Sequence, residues 1–111
     1  MLTLKNRIHG RKVFSRIFKS GKTIRSKTIN LNYSPIQGKY FKVAVVVSRK
    51  TSKKAVVRNR IRRRIYELIR QEFTNHTDGY NLIFTVFSDE IATISSNELK
   101  KRIEDLFKKI V

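Results

Sequence analysis

Hydrophobic positions along this chain change period several times, and each change marks an element. Val13, Phe14, Ile17 and Phe18 recur at helical spacing between basic residues. They predict a short helix over Lys12–Ser20, ended by Gly21. From Thr23 to Tyr33 the period drops to two: Ile29, Leu31 and Tyr33 alternate with Thr28, Asn30 and Asn32, as in a strand with one polar face. Pro35, the only proline, falls in a turn predicted over Ser34–Gly38. Phe41–Ser48 reads as the next strand, with Phe41, Val43, Val45 and Val47 on one face; its other face is also partly apolar, so it is expected in the middle of a sheet. Val57, Ile61, Ile65, Leu68 and Ile69 form the stripe of the longest helix, Ala55–Phe73. Tyr80–Ser88 reads as a buried strand through Leu82, Ile83, Phe84, Val86 and Phe87. Ser95–Ile110 closes the chain as a helix: Ser95 and Glu98 have capping-box spacing, and Leu99, Ile103, Leu106, Phe107 and Ile110 form its core face. The order α-β-β(-β)-α-β-α gives an α+β fold, a small sandwich of sheet and helices.

The chain has 111 residues, 40% of them hydrophobic, which suits one domain over 1–111 with one core. It shows no repeat, low-complexity tract or linker. The absence of cysteine excludes a disulfide framework and cysteine-ligated zinc, and fits a reducing compartment. The longest purely apolar run is Val43–Val47, far short of a membrane span, and no apolar segment follows Met1–Arg7 as in a signal peptide. A cytoplasmic location is expected, and the sequon Asn75-His76-Thr77 then carries no meaning.

Charge changes the picture. The formal net charge is +18 and the isoelectric point is near 10.9. Its distribution says more: all 8 acidic residues lie from Glu67 onward, and residues 1–66 hold 20 of the 26 lysines and arginines. Ordinary surfaces mix both signs, because like charges destabilise the compact state. A carboxylate-free half is expected to meet a polyanion. Nucleic acid is the first choice, and an anionic membrane surface is the competitor.

The basic residues concentrate in one run. Ser48-Arg49-Lys50-Thr51-Ser52-Lys53-Lys54 leads into Ala55-Val56-Val57-Arg58-Asn59-Arg60-Ile61-Arg62-Arg63-Arg64. On a helix Arg58 and Arg62 lie one turn apart, as do Asn59 and Arg63, and Arg60 and Arg64. Five arginines in seven residues repel one another, and phosphate is the natural compensation. Arginine suits it because the planar guanidinium can hold two phosphate oxygens at once. The plainer alternative is a solvated basic face.

This run resembles the signature of the bacterial ribonuclease P protein subunit family. There a strand ending in Val-Ser and two basic residues leads through a short basic loop to a helix bearing Arg-Asn-Arg. The matching residues are Val47, Ser48, Arg49 and Lys50, then Arg58, Asn59, Arg60, Arg62 and Arg63, with Lys53 and Lys54 in the loop. Arg49 stands where lysine is more usual and keeps the charge. The phenylalanine pair four apart, the glycine after it and the short C-terminal helix agree, so the resemblance covers about residues 4 to 110. It implies a two-layer α/β sandwich related to a ribosomal-protein domain, with the basic helix in a left-handed crossover between parallel strands. It implies two partners, a large catalytic RNA and precursor tRNA, which is cut to give the mature 5′ end. It also implies that the RNA and its bound Mg2+ do the hydrolysis, with no obligate protein partner.

The residues agree that the chain is not itself the catalyst. Its two histidines, His9 and His76, fall in a basic tail and a predicted loop. The basic half has no carboxylate for an acid/base pair, and Asp78, Asp89 and Glu90 are scattered near loop ends. The resemblance also assigns a second surface. Phe14 and Phe18, which composition alone would place in the core, are expected to face a cleft for the single-stranded 5′ leader, flanked by Arg16, Lys19 and Lys22. A strand residue should complete it; register counted from Gly21 reaches Asn32, with Tyr33 beside it as the aromatic candidate. Two other functions remain in view: a ribosomal or other structural RNA-binding protein, and a stand-alone nuclease with a catalytic cluster of its own.

Overall fold

In a computed structural model, residue 8 and residues 11–35, 42–73 and 79–110 are described. Phe41, His9, His76, Asp78 and most of the turn expected over Ser34–Gly38 lie outside them. The elements are α1 (Arg11–Ser20), β1 (Lys22–Ile24), β2 (Ile29–Pro35), β3 (Lys42–Val47), α2 (Ala55–Leu68), β4 (Tyr80–Val86) and α3 (Ser96–Phe107). A π-helical turn, Ile69–Phe73, extends α2, and a 3-10 turn, Asp89–Ala92, precedes α3.

The period-two stretch forms two strands. Ser26 breaks it: its N–H donates to the Asn30 side chain at 3.1 Å, and its hydroxyl accepts from Ile29 N–H at 3.2 Å, closing a hairpin. The sheet order is β1-β2-β4-β3, with β3 parallel to β4 and the other pairs antiparallel. The β3–α2–β4 unit is therefore a crossover between neighbouring parallel strands.

β3 is an edge strand, contrary to the expectation of a central one. Its outer edge is nevertheless covered. The Tyr66 hydroxyl of α2 accepts from Val45 N–H at 3.2 Å, and Ile8 N–H donates to the Val43 carbonyl at 3.2 Å. These contacts occupy groups that an open edge would offer to another chain.

Alternation along the strands sorts the two faces. Ile29, Leu31 and Tyr33, Val43, Val45 and Val47, and Leu82, Phe84 and Val86 share one buried face. Ile61, Ile65, Ile69 and Phe73 cover it from α2 and its extension, and Leu99, Ile103 and Leu106 from α3. The π turn keeps both Ile69 and Phe73 buried. Phe107 meets Phe73 with ring centroids 4.9 Å apart and Phe84 edge-on at 6.1 Å, locking α3 to the sheet. Emptying one of these sites to alanine costs about 2–5 kcal/mol. Ser95 caps α3 by accepting from Glu98 N–H at 3.1 Å, but the Glu98 carboxylate turns to Arg102 instead of closing the box.

The opposite face carries Thr23, Asn32, Ser34, Asn81 and Ile83, and the C-terminal end of α1 rests there. The sheet thus lies between α1 on one side and α2 with α3 on the other.

Candidate nucleic-acid interface

The loop from Ser48 to Lys54 is short and heavily tied. Thr51 N–H donates to the Ser48 carbonyl at 3.1 Å, and the Thr51 hydroxyl donates to the Val86 carbonyl of β4 at 2.9 Å. The Arg58 guanidinium reaches back to the Ser52 carbonyl at 2.9 Å. Lys54 has no side-chain cap to offer; its carbonyl instead accepts from Val57 and Arg58 N–H, both at 3.1 Å. This rigid backbone holds Arg49, Lys50 and Lys53 around an open concavity of about 520 Å³ that Arg58 completes.

The arginines of α2 do not act alike. Ile61 and Ile65 set its buried side. Arg64 lies beside that side, half-buried, and its guanidinium forks onto the Ile91 and Ile94 carbonyls, the former at 2.6 Å. Arg62 donates to the Asn59 side chain. Arg60 and Arg63 are exposed, and with Arg64, Glu67 and Ser96 they line a second concavity of about 440 Å³ between α2 and the start of α3.

Electrostatics separates the molecule into two halves. Among the described residues every ion pair joins groups from residue 67 onward: Arg70–Glu67 at 2.9 Å, Lys100–Glu72 at 3.2 Å, Arg102 with Glu90 and Glu98, and Lys108–Glu104. The Glu67 carboxyl is held down at about 2, with the hydrogen bond from Arg70 as the largest cause. Hydrogen bonds that it donates to Glu90 and Glu98 raise the Arg102 guanidinium, which stays charged. Arg49, Lys50, Lys53, Lys54, Arg60 and Arg63 form no ion pair among the described residues. None of those residues brings three metal-ligating side chains together either.

The second surface is built around Gly21. A Cβ there would lie 2.3 Å from Asn32 Oδ1 and 2.8 Å from the Tyr33 carbonyl, so only glycine allows α1 to meet β2 this closely. Asn32 is buried and donates to the Phe18 carbonyl at 3.1 Å and to Thr23 Oγ1 at 3.2 Å, fixing the end of α1. On that helix Ile17 is buried, Phe14 is half-buried, and Phe18 is 44% exposed. The two rings lie nearly parallel, with centroids 6.2 Å apart. Arg16, Lys19 and Lys22 are exposed nearby.

Tyr33 does not share this face of the sheet. It points to the opposite face, is 8% exposed, and meets Tyr80 edge-on at 6.0 Å. Asn32 occupies the α1 side, so the aromatic candidate is one residue out of phase. Phe87, expected to be buried, is 52% exposed at the end of β4. Arg64 was counted in the basic array without its structural role. Its place one residue before Ile65 and three after Ile61 was the available signal, since it sets Arg64 on the border of the apolar stripe.

Sequence comparison matches residues 2–111 to the family described as Ribonuclease P. The ribonuclease P protein component of Caldanaerobacter subterraneus subsp. tengcongensis is 35% identical over 96 residues, covering 86% of this chain and 81% of that one. The component from a Synechococcus species is 30% identical over 113 residues, covering 98% and 84%. Among solved structures, the RNase P protein from Thermotoga maritima superposes with a TM-score of 0.83 at 24% identity over 95% of this chain and 97% of that one. The RNase P protein of Staphylococcus aureus gives 0.79 at 22% identity over 93% of each.

Proposed function

Because this chain belongs to the ribonuclease P protein family, the protein subunit of a tRNA-processing ribonucleoprotein, we propose that its two basic surfaces serve two different RNAs. Arg49, Lys50, Lys53 and Lys54, with Arg58, Asn59, Arg60, Arg62 and Arg63 of α2, bind the catalytic RNA. The α1 groove at Phe14 and Phe18 receives the single-stranded 5′ leader of precursor tRNA. The observation that carries this reading is the pair Arg60 and Arg63: exposed, one turn of helix apart, and without a carboxylate partner among the described residues. Two such charges on a rigid helix suit phosphates of a folded RNA.

Catalysis is assigned to the RNA. Hydrolysis of a phosphodiester requires a metal-activated water. Among the described residues no three metal-ligating side chains come together, which supports placing the ion with RNA phosphates, the protein contributing binding and neutralisation. A reducing, cytoplasmic setting fits the cysteine-free sequence.

Separate variants test the two surfaces. Arg60→Ala or Arg63→Ala should weaken assembly with the cognate RNA and lower the salt slope by roughly 0.7–0.9 per lost phosphate contact. Long-leader and short-leader precursors should then suffer alike at saturating protein. Phe18→Ala should leave assembly intact and cost about 1–3 kcal/mol of affinity, only for precursors whose leader reaches the groove. Unchanged salt slopes would remove the α2 assignment; a stable Phe18 variant indifferent to leader length would remove the groove. Cleavage by protein freed of all nucleic acid would remove the assignment of catalysis to RNA.

A further inference from the structure

A lone exposed phenylalanine means little by itself. Phe87 is not alone in that sense. It continues the β2–β4 ladder one residue past Val86, its N–H donating to the Thr28 carbonyl at 2.8 Å. Val86, the residue before it, is gripped from the other side by the Thr51 hydroxyl at 2.9 Å. The backbone at Phe87 is therefore fixed between the β1–β2 loop and the β3–α2 loop. Both loops are basic: Arg25 and Lys27 are exposed on one, Arg49, Lys50 and Lys53 on the other.

Alternation along β4 decides which way the ring faces. Leu82, Phe84 and Val86 enter the core, so Phe87 shares the other face with Asn81, Ile83 and Thr85. That is the face on which α1 rests. Asn32 pairs with Ile83 directly beneath the end of α1, and the next row towards Phe87 is Asn30, Thr85 and Val46. These three are only half-buried. Among the described residues a partly exposed strip of sheet thus runs from Ile83, buried beneath the end of α1, to Phe87, about 13 Å along four residues of strand.

We propose that Phe87 is a second base-stacking platform for the single-stranded leader, with the strip at Asn30, Thr85 and Val46 as the floor between the two aromatic sites. This rests on assigning the leader to the α1 groove. The ring supplies a sequence-tolerant stacking surface, and the flanking lysines and arginines supply the charge that a phosphate backbone requires. A platform held by backbone bonds on both sides loses little freedom when a base stacks on it.

The chain has no tryptophan, so Phe87→Trp places a single indole at the site. In holoenzyme reconstituted with the cognate catalytic RNA, its fluorescence should be quenched by precursor tRNA with a long leader and not by leaderless tRNA. Phe87→Leu, which keeps the apolar volume without the ring, should weaken long-leader precursor binding about five- to tenfold, the lower end of what stacking contributes. Assembly should be unaffected, and the leader length at which the loss appears should differ from that for Phe18→Ala. Quenching by the catalytic RNA alone would overturn the proposal, as would equal loss on leaderless substrate or no response to the leader. If Phe18→Ala shows its leader dependence while the indole stays silent, this inference alone fails. If Phe18→Ala shows none, the groove assignment beneath it fails.

Discussion

Arg63 and Arg64 are neighbours in sequence with opposite expected roles, and alanine substitution of each separates them. Arg64 donates to the carbonyls of Ile91 and Ile94, which join the 3-10 turn to α3. Removing a charged donor from half-buried carbonyls costs about 2–3 kcal/mol for the pair. At about 2.1 cal/mol/K of unfolding entropy per residue, a chain of 111 residues loses roughly 4 °C of melting temperature per kcal/mol. Arg64→Ala should therefore melt about 10 °C lower. Arg64→Lys should recover little of this, because an ammonium lacks the fork that reaches two carbonyls. Arg63→Ala removes one exposed charge from a protein of net charge +18, which relieves repulsion. Its melting temperature should stay within about 2 °C of the parent, as for most surface substitutions. The RNA-binding salt slope should show the reverse pattern, falling for Arg63→Ala and holding for Arg64→Ala below its melting transition. Differential scanning fluorimetry and a salt titration on the same preparations decide it. Equal melting losses, or equal changes in salt slope, would refute this division of roles.

Gly21→Ala should destabilise the fold by about 1–3 kcal/mol, because the new methyl meets a backbone carbonyl that cannot move aside; thermal melting checks it. Pyrophosphate or a short oligonucleotide should raise the melting temperature, by about 2.7 kcal/mol of linkage at a hundred times its Kd, and a flat titration would count against a native-state anion site. Glu67 should titrate near 2 by carboxyl NMR and move towards its ordinary range in Arg70→Ala. With its folded pKa depressed, whatever stability the Glu67 pair adds is present above pH 4.5 and fades as the pH falls towards 2.

The helices were legible because a buried stripe at helical period needs no partner to be recognised. Ile61 and Ile65, and Leu99, Ile103 and Leu106, are buried as their spacing required. The basic loop and helix were legible for a different reason: exposed charge in a fixed strand-to-helix setting depends on few distant contacts. Three features were hidden because they turn on which layer covers which surface. β3 reads as central, but Tyr66 and Ile8 cover its outer edge. Phe87 continues an apolar run, yet it lies just past the end of β4 and is left exposed. Tyr33 and Asn32 differ by one register step, and the close approach at Gly21 selects Asn32 for the groove.

The way the arginines are held bears on function. An arginine fixed by a carboxylate is ordered and neutralised together. One fixed by a carbonyl is ordered and keeps its full charge. Arg58 is held by the Ser52 carbonyl, and Arg64 by those of Ile91 and Ile94. In the described C-terminal part, by contrast, Arg70 and Arg102 are held by carboxylates. Like charges one helical turn apart cost a few tenths of a kcal/mol per pair, so the α2 array carries a standing penalty in the free protein. The buried stripe of Ile61 and Ile65 in the core offsets it, and no ion pair among the described residues cancels it. Arg58 and Arg64 are therefore ordered with their charge unspent, and on the proposed reading the repulsion stored along α2 is released as binding energy when the RNA docks.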